Sequence, residues 1–478
     1  MKRLKFTLVA LIVLGLTVPV LGAEIAIHGD LNNRFMVYTN QAGLFAGAGE
    51  QSTAAGKRIK KDGVSDSWGE IKYRLWVDAA TNDNKVKAIY AVELGALHYG
   101  KQGSLGKSTG GSYSGDSVNI ETRWAYTDFQ LPGVENKARF KIGLQPMDVS
   151  YYLWKETAMG VNFVGERNSF DYQLAWIRGY DHQRDAATGG DDNDGFLGRI
   201  NFGASDSLKV GLFGLYSYSS APTTPGTPGS ITATGYQVKS FADKADLNLW
   251  NFGIDGSYNR PVGSGKFFAN WDLIYQNGDI ENVEFTGSDG SVTTNSKVDV
   301  NAYFAHTDIG YGQGDWKFTY TFWYASGDDN PRDKNFDGFM SVDVDSFDGV
   351  VLFEAYTDDN YFTERHYLLD KGFIMNKIAV DYQATPKLKV GAAGLYMLTA
   401  EDIEYTAAGN GQSVSENSVG LEMDAYIKYM MFKNVEVAFA AGYLLAGNAM
   451  DYWEESAIQN GSSDEDILKL NARIRYQF

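Results

Sequence analysis

The chain has 478 residues, of which 44% are hydrophobic and 14% aromatic, so it is long and apolar enough to fold and is not a disordered protein. It contains no cysteine, which excludes disulfides and thiolate metal sites. Its formal charge of −18 is unfavourable for binding nucleic acid, and we expect no nucleic-acid partner.

The N-terminus has the pattern of a secretory signal peptide. A basic start (MKRLK) precedes an apolar run at 6–21, and the small residues Gly22 and Ala23 follow it. We therefore predict that residues 1–23 are cleaved and that residues 24–478 form one domain. The alternative is an N-terminal membrane anchor, for which the run is short. No comparable apolar run follows residue 23.

Alternating apolar and polar side chains run through much of the chain. In residues 70–79 (EIKYRLWVDA) the apolar side chains occupy every second position. This period is that of a β-strand, whose successive side chains point to opposite faces. The same pattern recurs at residues 86–94, 316–324, 419–431, 435–445 and 468–478. The sequence therefore predicts strands with one apolar and one polar face.

The connections between these strands are of two kinds, which alternate strictly. Eight are short turns, at residues 81–84, 131–135, 166–169, 205–207, 259–265, 312–314, 385–386 and 432–434. Nine are long polar loops, at residues 41–67, 98–115, 146–158, 181–194, 220–245, 279–296, 328–371, 401–416 and 448–464. This layout predicts eighteen strands. Sixteen is the alternative, because the strand at 159–165 is short and 328–371 has room for a hairpin near 350–356.

Such a layout is typical of one fold class, an all-β transmembrane antiparallel barrel with short periplasmic turns and long extracellular loops. In lipid an open sheet edge would leave backbone groups unpaired, so the sheet is expected to close. A soluble β-sandwich or propeller is the alternative. It accounts less well for the loop asymmetry and for the signal peptide.

Two segments resemble Gram-negative outer-membrane porins. The closing RIRYQF is similar to their C-terminal signature, with Ile474, Tyr476 and Phe478 at the matching positions. Residues 121–145 (ETRWAYTDFQLPGVENKARFKIGLQ) resemble the porin hairpin that enters the third loop. The architecture is also similar to that of eighteen-stranded specific-porin and alginate-export-type barrels.

The resemblance has implications for location and partners. It implies an outer-membrane protein in contact with lipid and lipopolysaccharide. It implies that the barrel-assembly machinery reads the last strand, and that a homotrimer is possible. The permeant solute stays open.

Eight basic residues are expected to face the lumen if the apolar faces point to lipid. They are Arg34, Arg74, Arg123, Arg139, Lys141, Arg199, Arg473 and Arg475. Seven of them, all except Arg199, lie on neighbouring or nearby strands and are expected to form one basic wall. Rings of charged side chains set selectivity in pores, so this basic wall would favour anions. The alternative is that these residues pair with inward acids, namely Asp30, Glu70, Asp78, Glu93 and Glu121.

The candidate third loop, at 146–158, contains Asp148 and Glu156. The porin resemblance implies that such an acidic loop folds inward, opposite the basic wall, and narrows the pore. Its aromatic residues Tyr151, Tyr152 and Trp154 are candidates for stacking on sugar rings, or for packing the loop against the barrel.

An acidic segment in the seventh long loop partly matches a calcium-binding loop. Asp333, Asn335 and Asp337 have the spacing of the first three ligands, and Gly338 follows them. Position 12 is Val344, where a bidentate Glu is expected. A Ca²⁺ site is therefore one reading, and a solvated acidic loop facing lipopolysaccharide is the other.

The favoured function is a passive porin, a water-filled channel for small hydrophilic or anionic solutes. The alternatives are a substrate-specific carbohydrate or polysaccharide channel, and a barrel that sheathes a partner protein. The five histidines share no catalytic motif, and no nucleophile, metalloprotease or phosphate-loop motif is present in the sequence. We therefore expect no enzyme.

Overall fold

The structure is a computed structural model. It describes residues 23–40, 59, 66–100, 118, 120–134, 138–181, 192–220, 236, 238, 245–286, 292–330, 332–342, 348–352 and 368–478. Residues 1–22, nearly all of the expected signal peptide, lie outside these ranges.

The described chain consists mainly of β-strands. In chain order they are β1 (Ala23–Tyr38), β2 (Asp66–Thr81), β3 (Val86–His98), β4 (Glu121–Gln130), β5 (Arg139–Ser150), β6 (Trp154–Arg167), β7 (Phe170–Tyr180), β8 (Asn193–Ser205), β9 (Leu208–Ser219), β10 (Asp246–Val262), β11 (Gly265–Thr286), β12 (Val292–Gln313), β13 (Trp316–Ala325), β14 (Asn335–Phe336), β15 (Phe373–Thr385), β16 (Leu388–Thr406), β17 (Ser413–Phe432), β18 (Val435–Ala446) and β19 (Ile467–Gln477).

Eighteen of these strands form one closed antiparallel barrel, which confirms the predicted fold class. Each strand pairs with its neighbour in sequence, except that β13 pairs directly with β15. The two-residue strand β14 belongs to the loop between them and pairs in parallel with β12. The sixteen-strand alternative is therefore wrong.

The barrel closes between its first and last strands. β1 pairs with β19 from Asp30↔Gln477 to Tyr38↔Lys469. Beyond that pairing, Gly29 and Phe478 exchange backbone hydrogen bonds of 2.9 and 3.0 Å. A Cβ atom at Gly29 would lie 2.4 Å from Cε1 of Phe478, so the absent side chain makes room for this ring.

The outer face of the barrel is apolar. Alternate residues on each strand point outward, and many of them are large and exposed, such as Ile27, Phe252 and Phe439. Such a surface requires a lipid environment, because exposing so large a contiguous apolar area to water is unfavourable.

Helices contribute little to the described chain. Two 3₁₀ helices, Leu368–Asp370 and Asn448–Trp453, lie in long loops. In the part of the chain covered by the structure, no helix is long and apolar enough to cross a membrane.

The lumen differs between its two ends. Near the long-loop ends of the strands the inward side chains are apolar and at most 2% exposed; examples are Leu249, Val300, Phe304, Trp323 and Met375. Loop residues pack against them in one hydrophobic cluster; these include Phe336, Phe339, Met340, Leu352 and Met450. Loop residues therefore occupy part of the lumen at this end.

Several strands extend into the expected loops. β11 and β12 have 22 residues each and reach into the predicted loop at 279–296. β6, which looked short at 159–165, has 14 residues. Residues 350–352, the described part of the possible hairpin at 350–356, are not in a strand.

Candidate functional site

The β5–β6 hairpin leaves the barrel wall. The pairing of β4 with β5 ends at Ala125↔Leu144, and that of β6 with β7 begins at Met159↔Arg178. Beyond these points the two strands continue as a ladder with each other, from Gln145↔Ala158 to Ser150↔Trp154. The sequence predicts a polar loop at 146–158. The segment is instead a hairpin with a turn at 151–153.

Gly143 lies where this hairpin departs from β4. Its φ of 128° is in the region that favours glycine. A Cβ atom there would lie 2.4 Å from the carbonyl oxygen of Ala125 on β4. The bend of the hairpin thus depends on a residue without a side chain.

The tip of the hairpin reaches the opposite side of the lumen. The Tyr152 hydroxyl lies 2.8 Å from Nε2 of His306 on β12, and the two rings stack with centroids 4.3 Å apart. Phe304 and Trp323 also contact the Tyr152 ring, each at 5.1 Å between centroids. Since β12 and β13 are six or more strands away from β6 around the barrel, the tip spans the lumen.

Polar contacts hold the tip from both sides. Arg199 on β8 donates to the carbonyl oxygen of Val149 at 2.8 Å, and Ser150 donates to Asp272 on β11 at 3.4 Å. The backbone N–H of Val342, in the loop between β13 and β15, donates to the carbonyl oxygen of Leu153 at 2.8 Å. The hairpin and this loop therefore meet inside the barrel.

The loop between β13 and β15 is anchored to the wall by a buried carboxylate. Glu422, which points inward from β17, accepts the backbone N–H groups of Val350 and Val351 at 2.7 Å and of Leu352 at 3.2 Å. Lys377 on β15 also pairs with Asp348 at 3.2 Å. These contacts fix residues 348–352 within the lumen.

The start of this loop contains a second buried acid. Asp328 is 2% exposed, and one of its carboxyl oxygens accepts the backbone N–H of Asp337 at 3.2 Å. Its other oxygen, Oδ2, has no hydrogen-bond partner in the part of the chain that the structure describes. Burial raises the pKa of Asp328 to about 7.

A cavity of about 1060 Å³ lies beside the hairpin tip. One side, on β3 to β5, carries Lys87, Arg139 and Lys141. The other side, on β10 to β12, carries Asp255, Asp272 and Asp308. Asp148 and Tyr151 of the hairpin line it as well. Asp128, Arg199 and Lys209 also line the cavity, so charges of both signs are distributed around its wall.

Seven of the eight basic residues expected to face the lumen form ion pairs, and six of these seven belong to the predicted basic wall. The pairs are Arg34–Glu70, Arg74–Glu93, Arg123–Glu156, Arg139–Asp128, Arg199–Asp255, Arg473–Glu436 and Arg475–Asp30. Within the described ranges, Lys141 has no ion pair. Three of the partner acids, Asp30, Glu70 and Glu93, are among those named in the pairing alternative.

The predicted site residues fall into two groups. Arg139, Lys141, Asp148 and Arg199 line the same cavity, and Arg123 pairs with Glu156 of the hairpin at 3.0 Å. The others lie on β1, β2 and β19, where Arg34 and Arg473 are buried. The structure thus brings three of the seven wall residues, Arg123, Arg139 and Lys141, to the hairpin or its cavity.

The three aromatic residues of the hairpin point in different directions. Tyr151 is 50% exposed, with Nζ of Lys155 3.8 Å from its ring centroid. Tyr152 is engaged with His306, and Trp154 is buried. They do not form a common stacking surface, so the structure favours packing over sugar stacking for Tyr152 and Trp154.

The acidic segment of the seventh loop has local contacts of its own. Asp333 accepts the backbone N–H of Asn335 at 2.7 Å, and the Asp337 carbonyl accepts the Ser326 hydroxyl at 2.6 Å. Across the described ranges no group of three acidic or histidine side chains is placed to hold a metal ion. Residues 343–347 lie outside these ranges, and the Ca²⁺ site stays a prediction.

Sequence reasoning missed His306, Asp272 and Glu422. The alternating pattern of β11 and β17 indicates that Asp272 and Glu422 face the lumen, because both occupy polar positions between outward apolar residues. The pattern in residues 298–310 is ambiguous, because inward residues there are also apolar where loops cover them. Nothing in the local sequence indicates the partner of His306.

No family model matches the chain, and no curated protein does either. Solved outer-membrane porins share its fold. A BenF-like porin from Pseudomonas fluorescens Pf-5 has 12% sequence identity and a TM-score of 0.53, and the match covers 95% of this chain and 98% of that one. Two Pseudomonas aeruginosa proteins cover the same shares at a TM-score of 0.52, OpdK with 10% identity and OccK9 (OpdG) with 11%. The chain therefore has the transmembrane β-barrel fold of these porins.

Proposed function

We propose that the protein is a porin of a Gram-negative outer membrane, a passive channel for small hydrophilic solutes that the β5–β6 hairpin narrows. The contact of Tyr152 with His306 supports this most directly, because it places the hairpin tip across the lumen. The apolar outer face supports a position in lipid. Recognition by the barrel-assembly machinery through Phe478, and a homotrimer, belong to the same proposal.

The charges around the cavity suggest how solutes are selected. Lys141 and Lys87 face Asp255, Asp272 and Asp308 across the space next to the tip. Opposed charges at such a constriction act strongly on a solute that has lost part of its hydration. We propose that an anionic group of the solute passes on the lysine side, as the expected preference for carboxylates requires.

A planar bilayer containing the purified protein tests this proposal. Steady single-channel steps are expected, and a salt gradient reports the ion preference as a reversal potential. Lys141→Glu is expected to shift that potential toward cations, whereas Lys433→Glu, in an exposed turn outside the lumen, is the matched control. A correctly folded barrel that never conducts, with or without solutes, contradicts the proposal.

The packing of loop residues into the long-loop end favours a second candidate, a substrate-specific channel. The hydrophobic cluster joins the hairpin to residues 336–340 and 351–352 and to the barrel wall. A solute that displaces part of this cluster would open the path, so current would appear only when that solute is present. Screening carboxylates and small sugars in the same bilayer distinguishes the two candidates.

A further inference from the structure

A groove of about 680 Å³ lies on the outside of the barrel, near the long-loop ends of β9 to β12. Its lining includes Tyr216, Asn248, Trp250, Asn277, Asp279 and Asn301. These residues share the strand face of outward apolar residues such as Phe252 and Leu273, so the groove opens away from the lumen.

The outward face of these strands changes in three steps toward the long loops. The residues farthest from the long loops are apolar. They include Ile254, Leu273 and Ile309, which are 38–45% exposed. Aromatic residues follow, with Tyr275 and Tyr303 stacked at 5.1 Å. Polar residues come last. Since aromatic residues mark the membrane–water interface, the polar part lies at the level of the lipid headgroups.

The strands continue well beyond this aromatic layer. β11 runs six positions from Tyr275 to Glu281, a length of about 20 Å along the strand. Over this length it stays paired with both β10 and β12. The groove is therefore part of a rigid wall that stands among the headgroups.

Hydrogen bonds between side chains fix the polar groups of the groove. Tyr216 donates to Asn248 at 3.0 Å, and Asn248 donates to Asp279 at 3.3 Å. Asn277 donates to Asn301 at 3.1 Å. The amides of Asn248, Asn277 and Asn301 and the carboxylate of Asp279 are therefore ordered by one another. They are held in place before any ligand arrives, which lowers the entropic cost of binding.

The groove combines these acceptors with ring faces. Trp250 is 46% exposed and packs 4.8 Å from Tyr216. A sugar presents hydroxyl donors on its edge and an apolar C–H face, so it matches both features. Glu281 and Asp299 add negative charge, while Lys297 is the counter-charge, 3.4 Å from Asp279. The three carboxylates outnumber the one lysine, so the groove has a net negative charge, which disfavours direct contact with phosphate groups.

We propose that this outer groove binds the headgroup sugars of a glycolipid in the outer leaflet, by stacking on Trp250 and hydrogen bonding to the Asn–Asp network. The proposal rests on the outer-membrane placement given under Proposed function. The groove contacts the sugar hydroxyls of the glycolipid. Binding therefore does not depend on divalent cations that bridge phosphate groups.

Titration of the detergent-solubilised full chain with rough-type lipopolysaccharide, read by native mass spectrometry, tests the proposal. Lipopolysaccharide that keeps its core sugars is expected to bind more tightly than the same molecule truncated to lipid A. Trp250→Ala and Asn277→Ala are each expected to weaken core-sugar binding about three- to tenfold. Binding by the wild type is expected to persist in EDTA.

Trp316→Ala is the matched control, since Trp316 is 47% exposed on the outside near the short-turn end of β13. The proposal is overturned if Trp250→Ala binds lipopolysaccharide as tightly as the wild type does. It is also overturned if Trp316→Ala loses as much binding as Trp250→Ala, or if EDTA abolishes binding by the wild type. So does an oligomer that dissociates on Trp250→Ala, because the groove is then a subunit interface. Conductance in phospholipid bilayers without glycolipid is expected to be unchanged in Trp250→Ala, which separates this outcome from the porin test.

Discussion

The hydroxyl of Tyr152 in the β5–β6 turn lies 2.8 Å from Nε2 of His306 on β12, a residue 154 positions away in the chain. Their rings also stack, with centroids 4.3 Å apart. One contact thus combines a hydrogen bond with aromatic packing and closes the hairpin tip against the far wall. If the protein is the porin proposed above, the width of the path past the tip should depend on this contact.

Tyr152→Ala is expected to raise the single-channel conductance. It removes a hydrogen bond and a stacked ring, together worth about 2 kcal/mol of tip docking. Tyr396→Ala is the matched control, since Tyr396 is 48% exposed at an outward position on β16 and does not line the cavity. Equal conductance in the wild type and Tyr152→Ala would show that the tip does not limit the current.

Gly143→Ala is expected to disturb the hairpin without breaking the barrel. The positive φ and the approach of a Cβ atom to the Ala125 carbonyl impose strain of about 1–3 kcal/mol at the bend. Hydrogen exchange in residues 145–158 is expected to rise. In Gly214→Ala the new Cβ meets its nearest neighbour at an ordinary 3.7 Å, and exchange is expected to stay normal.

Glu422→Gln is expected to loosen residues 348–352. The variant keeps the side-chain shape but replaces one carboxylate oxygen by an NH₂ group, which cannot accept a backbone N–H. Each lost hydrogen bond is worth about 1 kcal/mol or more in a buried site. Faster hydrogen exchange at these residues checks the result, with Glu404→Gln, an exposed carboxylate on β16, as control. Unchanged exchange would mean that other contacts hold the loop.

Packing around Asp328 is expected to weaken as the pH rises from 4 to 8. In the unfolded chain this carboxyl ionises near pH 4, whereas burial raises the pKa in the folded chain to about 7. Between these values the folded state holds a proton that the unfolded state has lost, so stability falls with rising pH. Hydrogen exchange of residues 326–342, corrected for intrinsic rates, is the measurement. Asp328→Asn should remove the pH dependence, and its persistence in that variant would assign it to another group.

The barrel itself could be predicted from the sequence because its determinants are local. Alternation in segments such as residues 70–79 fixes which face meets lipid, and short turns fix antiparallel pairing. Closure between β1 and β19 follows from the need to pair every backbone group in lipid. Phe478 therefore has its place on the outer face, as the alternating C-terminal strand indicates.

The interior could not be predicted in the same way, because its contacts join distant parts of the chain. The inward position of Arg34 follows from alternation, but its pairing with Glu70 depends on the register of β1 against β2. The segment 146–158 looked like a loop because its polar and aromatic residues lack a clear period. It is a hairpin because its strands pair with each other after leaving the wall.

The most direct test of the central claim places a cysteine at the hairpin tip. The chain has no cysteine of its own, so Tyr151→Cys, whose position is exposed to the cavity, gives a single reactive thiol. Tyr320→Cys, at an outward position on β13 that is 41% exposed, is the control. If the tip constricts the path, a charged methanethiosulfonate reagent reduces the single-channel current of Tyr151→Cys and leaves that of Tyr320→Cys unchanged. An unaltered current in a Tyr151→Cys channel that mass spectrometry shows to be fully modified would contradict the account.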